Sequence, residues 1–332
     1  MIISKTPYRI SFFGGGSDYP AWYDKNQGAV LSATIDKYIY ISCRDLPSFF
    51  DHKYRIVWSR IETVKDINQI KHLVVKEMLK YFKINKGLEI HYDGDLPARS
   101  GMGSSSVFVV GLMNLLNNFL GKKIDKKLLA RKSIFFEQKI LREVVGSQDQ
   151  VAAAYGGFNK IIFNKGGNFK VNKILINKKT LNNLNKNLLL VYTGIKRNAH
   201  YIAKDYVKKL NQSKKDNILE ILSFVKEGER ILKNGQLDDF GKLLHESWLE
   251  KKSLSSLITN TKIDEIYNEA IRKGALGGKL LGAGGGGFLL FYIPHYKQKE
   301  VIKYFRKLVT VPFKFVNEGS TILFNKGNKK IF

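Results

Sequence analysis

Residues 97–106, Pro97-Ala98-Arg99-Ser100-Gly101-Met102-Gly103-Ser104-Ser105-Ser106, decide the fold. Before them Leu88, Ile90 and Tyr92 alternate with Glu89, His91 and Asp93, the period of a half-buried strand, which Asp93, Gly94 and Pro97 then end. From Val107 to Leu120 apolar residues fall on almost every face, as in a helix buried inside a protein. Where that helix opens, backbone N–H groups lack intrahelical partners and carry about half a positive charge. Gly101 and Gly103 let an anion approach this main chain, which makes the loop a candidate phosphate cradle. The plainer alternative is a buried helix capped by Ser104 or Ser105, with the glycines forming a turn. A Walker loop is excluded, because no GxxxxGK followed by Ser or Thr occurs.

Two further glycine segments favour the cradle. Tyr8-Arg9-Ile10-Ser11-Phe12-Phe13 reads as a strand running into Gly14-Gly15-Gly16-Ser17-Asp18-Tyr19-Pro20. Near the other end, Lys279-Leu280-Leu281 precedes Gly282-Ala283-Gly284-Gly285-Gly286-Gly287, then the apolar run Phe288–Ile293. Five glycines in six positions forfeit backbone entropy, about 1 kcal/mol each relative to Ala in regular structure, so close contacts must compensate. A tight inter-strand turn is the simpler account of each segment.

The order of these motifs resembles the GHMP kinase superfamily of galactokinases, homoserine kinases and mevalonate kinases. The resemblance implies an α+β, two-lobed fold with the active site in the cleft between lobes, divided here as 1–185 and 186–332. It implies ATP and Mg²⁺ as cofactors. Pro97, Arg99, Ser100, Gly101, Met102, Gly103, Ser104, Ser105 and Ser106 would hold the nucleotide phosphates, steadied by Gly284 and Gly285. Gly14, Gly15, Gly16, Ser17 and Asp18 would meet the substrate.

Two carboxylates complete the expected chemistry. Asp125 is a suitable N-cap for a helix through Ala130, Ile134, Leu141 and Val144, with Gly146 as its stop signal. Glu137 lies on the apolar face of that helix with no basic residue three or four positions away. An inward carboxylate without a local cation suits a metal, although a distant Arg or Lys would also serve. Asp149 follows twelve positions later in Gly146-Ser147-Gln148-Asp149-Gln150, a spacing similar to the galactokinase branch. By that resemblance, Glu137 with Ser104 or Ser105 binds Mg²⁺, Asp149 takes the acceptor's proton, and Arg9 keeps Asp149 anionic.

Substrate identity rests on the first loop. Galactokinases carry Gly-Glu-His-Thr-Asp-Tyr where this chain has Gly14–Tyr19, so the sugar-holding Glu-His pair has become Gly-Gly. The opening, with Gly28–Tyr38, looks more like the heptose 7-phosphate kinases of bacterial surface-polysaccharide synthesis, which phosphorylate the anomeric hydroxyl. The second phosphate of such a substrate needs cations, and Lys196 with Arg197 are candidates, as is Arg99. A fucose- or galactose-type 1-kinase and a non-catalytic sugar sensor are the alternatives.

The formal charge of +27 invites a polyanion, yet the lysines are scattered among asparagines and isoleucines rather than gathered in one element. No specific nucleic-acid or membrane partner is expected, and a homo-oligomer is left open. A single cysteine, Cys43, excludes an internal disulfide and favours an intracellular, cytoplasmic protein. The six histidines are widely separated, with no HExxH pair and no GxSxG elbow. Residues 177–187, rich in Asn and Lys, form the expected boundary between lobes.

Overall fold

The computed structural model describes residues 1–195 and 199–325. The first half of the chain gives, in order, β1 (Ile2–Phe13), α1 (Pro20–Tyr23), β2 (Gly28–Asp45), β3 (Tyr54–Val57), β4 (Ile61–Val64), α2 (Leu73–Tyr81) and β5 (Leu88–Gly94). Next come α3 (Ser104–Phe119), α4 (Lys126–Phe135), α5 (Gln148–Tyr155), β6 (Phe158–Asn164), β7 (Asn168–Lys173) and α6 (Lys178–Asn187). The second half gives β8 (Leu188–Tyr192), α7 (Ala199–Val207), α8 (Lys215–Asn234), α9 (Leu237–Lys252), α10 (Thr261–Arg272), β9 (Gly277–Leu280) and β10 (Phe288–Tyr292). It closes with α11 (Gln298–Tyr304), β11 (Val309–Val311) and β12 (Thr321–Asn325).

An eight-stranded sheet runs β12-β1-β2-β5-β3-β4, with β6 also on β2 and β7 on β6. The architecture depends on the 18 residues of β2. Residues 28–33 pair with β6 and residues 39–45 with β5, while the opposite edge pairs with β1. The second sheet has four strands in the order β11-β8-β10-β9, all antiparallel. Interspersed helices with mainly antiparallel sheets make this an α+β fold.

Helix α3 is buried along nearly its whole length, as its apolar sequence requires. It crosses β1 at Gly111, where a Cβ would come 2.8 Å from the Thr6 hydroxyl oxygen. Asp125 caps α4 as expected, its carboxylate accepting the Leu128 N–H at 2.9 Å. The helix does not continue regularly to 144. It loosens at Phe136–Ile140 into a π turn, in which the Leu141 N–H reaches the Phe136 carbonyl.

The expected boundary at 177–187 forms α6, between β7 of the large sheet and β8 of the small one, capped by the Asn177 side chain accepting the Thr180 N–H at 2.8 Å. Its Leu184 is fully buried, so one apolar anchor and a good cap outweigh the polar composition. The last strand also departs from a simple division of the chain. β12 returns to the large sheet and pairs with β1.

Candidate active site

The central loop folds through three left-handed residues, Arg99 (φ 60°), Gly101 (φ 86°) and Gly103 (φ 80°). Gly103 occupies the N-cap of α3 without a side-chain cap, and its carbonyl accepts the Val107 N–H at 2.9 Å. Serine capping of this helix is therefore not what the structure adopts. The Ser104 hydroxyl turns back to accept the Arg99 N–H at 3.2 Å, which closes the loop on itself. The amides of Ser104, Ser105 and Ser106 open the helix beside a cleft that these residues help to line.

Arg9 on β1 grips Asp149, in the first turn of α5, through two parallel hydrogen bonds: Nε to Oδ1 at 2.6 Å and Nη2 to Oδ2 at 2.7 Å. Its remaining terminal nitrogen donates to the Gly101 carbonyl at 2.9 Å. One guanidinium thus fixes a carboxylate and the glycine loop together, in the strong bidentate geometry of arginine. Gly103 lies over the pair, where a Cβ would sit 3.0 Å from the Asp149 carboxylate and 3.5 Å from Arg9. The arginine side chain is 4% exposed and the aspartate 20%, so the carboxylate keeps a face open to the cleft.

Glu137 is fully buried in the π turn, a type of helix irregularity frequent at functional sites. The Ser106 hydroxyl donates to it at 3.0 Å, and the Gln150 amide donates to its other oxygen. Burial pushes its carboxyl up to about 8, against the opposing pull of the Gln150 hydrogen bond. Among the described residues no cation pairs with it. The serine hydrogen-bonded to Glu137 is Ser106, while Ser104 and Ser105, expected to share a metal with Glu137, line the cleft. Ser104 is occupied by the loop, and Ser106 is the hydroxyl of that helical turn directed into the protein.

The family models for the GHMP kinases N terminal domain and GHMP kinases C terminal match residues 68–157 and 229–309. The D-glycero-alpha-D-manno-heptose 7-phosphate kinase of Campylobacter jejuni is 31% identical, over 96% of this chain and 97% of that one. The chain belongs to the GHMP kinases. Solved structures agree on the fold. A D-glycero-D-manno-heptose 1-phosphate kinase from Bacteriodes thetaiotaomicron has a TM-score of 0.81 at 23% identity, covering 98% of this chain and 100% of that one. A putative sugar kinase from Campylobacter jejuni has a TM-score of 0.73 at 26% identity, covering 97% of each. As a member of the GHMP kinases the protein is an ATP-dependent sugar phosphotransferase.

In this GHMP kinase the first glycine loop closes the other end of the cleft. Asp18 is buried, with its carboxylate accepting the Gly16 N–H at 3.0 Å and the Gln148 N–H at 3.3 Å. Burial lifts its carboxyl to about 6, and the neighbouring Asp149 charge adds to the lift. Gly146 makes room for it, since a Cβ there would fall 2.0 Å from an Asp18 oxygen. The three glycines differ in purpose. Gly14 (φ 89°) would collide with the Ala29 carbonyl, and Gly16 (φ 109°) faces Ile218 at 3.0 Å. Only Gly15 leaves open cleft, its nearest neighbour being the Gln148 amide at 3.8 Å.

Several expected contact residues support the cleft rather than line it. Ser17 is fully buried, donating to the Gly14 carbonyl at 2.8 Å and accepting the Ala29 N–H at 3.1 Å. Met102 points into the core, and Pro97 is exposed outside the cleft. Ser100 is buried, and its carbonyl accepts the Phe288 N–H at 3.0 Å. Gly284 and Gly285 press on Ile258 and Ile202, whereas Gly282 and Ala283 are the members of that loop facing the cleft. Gly287 (φ 99°) packs so closely that a Cβ would lie 2.1 Å from the Ser100 carbonyl oxygen. Lys196 and Arg197 lie outside the described residues. Arg99 lines the cleft mouth.

Lys279, Lys251, Ser247, Tyr206 and Gln148 also line the cleft and escaped the sequence reading. Only Lys279 had a signal, as a charge set within the otherwise apolar strand β9. No helix among the described residues is long and apolar enough to cross a membrane.

Proposed function

We propose that the protein transfers the γ-phosphoryl group of ATP to the anomeric hydroxyl of a D-glycero-D-manno-heptose 7-phosphate, giving the 1,7-bisphosphate. The observation that carries the chemistry is Asp149, clamped by Arg9 beneath the glycine loop with one face open to the cleft. The 31% identical relative and the space beside Gly15 support the substrate.

ATP's phosphates rest against the amides of Ser104–Ser106 at the opening of α3, where the helix dipole favours negative charge. Asp149 accepts the acceptor's proton while the sugar oxygen forms its bond to phosphorus. The bond from that phosphorus to the β-phosphate oxygen breaks, and ADP leaves with the electron pair. The transition state is loose, so positioning and charge neutralisation supply most of the rate. Arg9 contributes by holding Asp149 in place through its two parallel hydrogen bonds.

A divalent cation fits the donor set of Glu137 and Ser106, one carboxylate and one hydroxyl, as Mg²⁺ prefers. A fully buried carboxylate that no cation pairs with among the described residues is the observation that favours this assignment. When bound, Mg²⁺ would screen the phosphate charges.

The test is ADP release across free sugars and sugar phosphates, with sedoheptulose 7-phosphate as a control. Phosphorus NMR of the product then locates the new phosphate. The expected result is turnover with the heptose 7-phosphate and a new anomeric phosphate signal. Faster turnover with free galactose or fucose would overturn the substrate, and no turnover on any sugar would overturn the proposal.

A further inference from the structure

Two basic side chains are buried among the described residues, Arg9 and Lys279. Asp149 neutralises Arg9. Lys279 is only 5% exposed, and its ammonium reaches from β9 in the small sheet to the Phe12 carbonyl on β1 in the large one. A neutral carbonyl is its hydrogen-bond partner, and no carboxylate pairs with it among the described residues. The carboxylates that line the same cleft are engaged elsewhere: Asp149 by Arg9 and Asp18 by two backbone amides.

Burial is the main cause that lowers the Lys279 ammonium to about 7, and the Arg9 charge lowers it further. A desolvated ammonium beside a second cation is costly unless an anion completes it. The remaining observation is position, since Lys279 lines the same cleft as Arg9, Asp149 and the serines of the loop. Its ammonium can donate three hydrogen bonds, one of which goes to Phe12.

We propose that Lys279 is the counter-charge for a phosphoryl group that the substrates bring into the cleft, acting from the small sheet alongside Arg9 of the large one. This rests on the kinase function proposed above. Two phosphoryl groups could fill the role: the one in transfer and the acceptor's own phosphate. Both offer the same anionic oxygens.

The test uses the full chain with Lys279→Met, which keeps the length and removes the charge, and Lys279→Arg, which keeps the charge. Thermal unfolding, kcat, and KM for ATP, heptose 7-phosphate and the free heptose are measured for each. If the group in transfer is bound, Lys279→Met lowers kcat about 100-fold with either acceptor while unfolding near the wild-type temperature, and Lys279→Arg recovers part of the rate. If the acceptor's phosphate is bound, KM for heptose 7-phosphate rises about tenfold or more while that for the free heptose is unchanged. Constants within threefold of wild type in a folded Lys279→Met protein would overturn the proposal, leaving the kinase function intact. An absence of wild-type turnover would count against the kinase function instead. Should both variants fail to fold, a wild-type structure with ADP, a trapped transition-state mimic and heptose 7-phosphate decides. A phosphoryl oxygen within about 3.2 Å of the Lys279 ammonium supports the proposal, and none within that reach refutes it.

Discussion

Arg9 and Asp149 are joined at both carboxylate oxygens, at 2.6 and 2.7 Å, although 140 residues separate them in the chain. Asp149→Asn keeps the shape and removes the base. Turnover should fall about 10²- to 10⁴-fold, the usual loss of a positioned base, while ATP affinity measured by calorimetry stays near wild type. Turnover close to wild type would remove Asp149 from its proposed role.

Glu137→Gln separates metal binding from packing. The amide can still accept the Ser106 hydrogen bond, and it removes a carboxyl that burial disfavours in its charged form. Stability without ligands should hold or rise, while the Mg²⁺ concentration for half-maximal rate climbs about tenfold or more. An unchanged Mg²⁺ dependence would place the metal elsewhere.

Gly287→Ala probes the contact between the two nucleotide-side loops. The added methyl meets the Ser100 carbonyl oxygen at 2.1 Å from a backbone with φ 99°, so the loop carrying Ser100 must shift. We expect KM for ATP to rise about tenfold, equivalent to about 1.4 kcal/mol, together with a lower unfolding temperature. A variant with wild-type KM would show that this contact does not position the cradle.

Gly15→Glu introduces a carboxylate where the cleft is open and Asp18 is close in sequence. KM for the phosphorylated sugar should increase far more than KM for ATP, because like charges repel in a partly desolvated site. Equal changes in the two constants would mean that Gly15 does not face the acceptor.

Stability should carry the signature of Asp18. Its carboxyl is lifted from 3.8 to about 6 by burial and the Asp149 charge, so the folded chain binds this proton more tightly than the unfolded one. Across that window the folded state holds the extra proton and loses stability as pH rises. Wild type should therefore gain on Asp18→Asn as pH falls from about 6 to about 4 in denaturant titrations. A gap independent of pH would show that Asp18 is not held in this way.

Local chemistry in the sequence was enough to read the glycine loop, the Asp125 cap and the inward face of Glu137, because glycine runs, caps and helical faces are written over a few residues. Asp149, by contrast, came from the resemblance in motif spacing. What escaped depends on distant pairing. The π turn rotates Glu137 toward Ser106, one residue beyond the expected serines, and no local pattern announces such a register change. The Asn- and Lys-rich stretch before Leu188 reads as a boundary from composition alone, and its helix shows only once Leu184 finds a core to enter. Gly284 and Gly285 meet Ile258 and Ile202 across the fold, so their sequence neighbourhood could not tell a ligand contact from a packing contact.

The pairing of β12 with β1 also has a consequence for synthesis. During translation β12 emerges more than 300 residues after β1, so one edge of β1 stays uncovered while the intervening chain is made. A bare strand edge invites pairing with other chains, and folding in the cell must shield it until β12 closes the sheet.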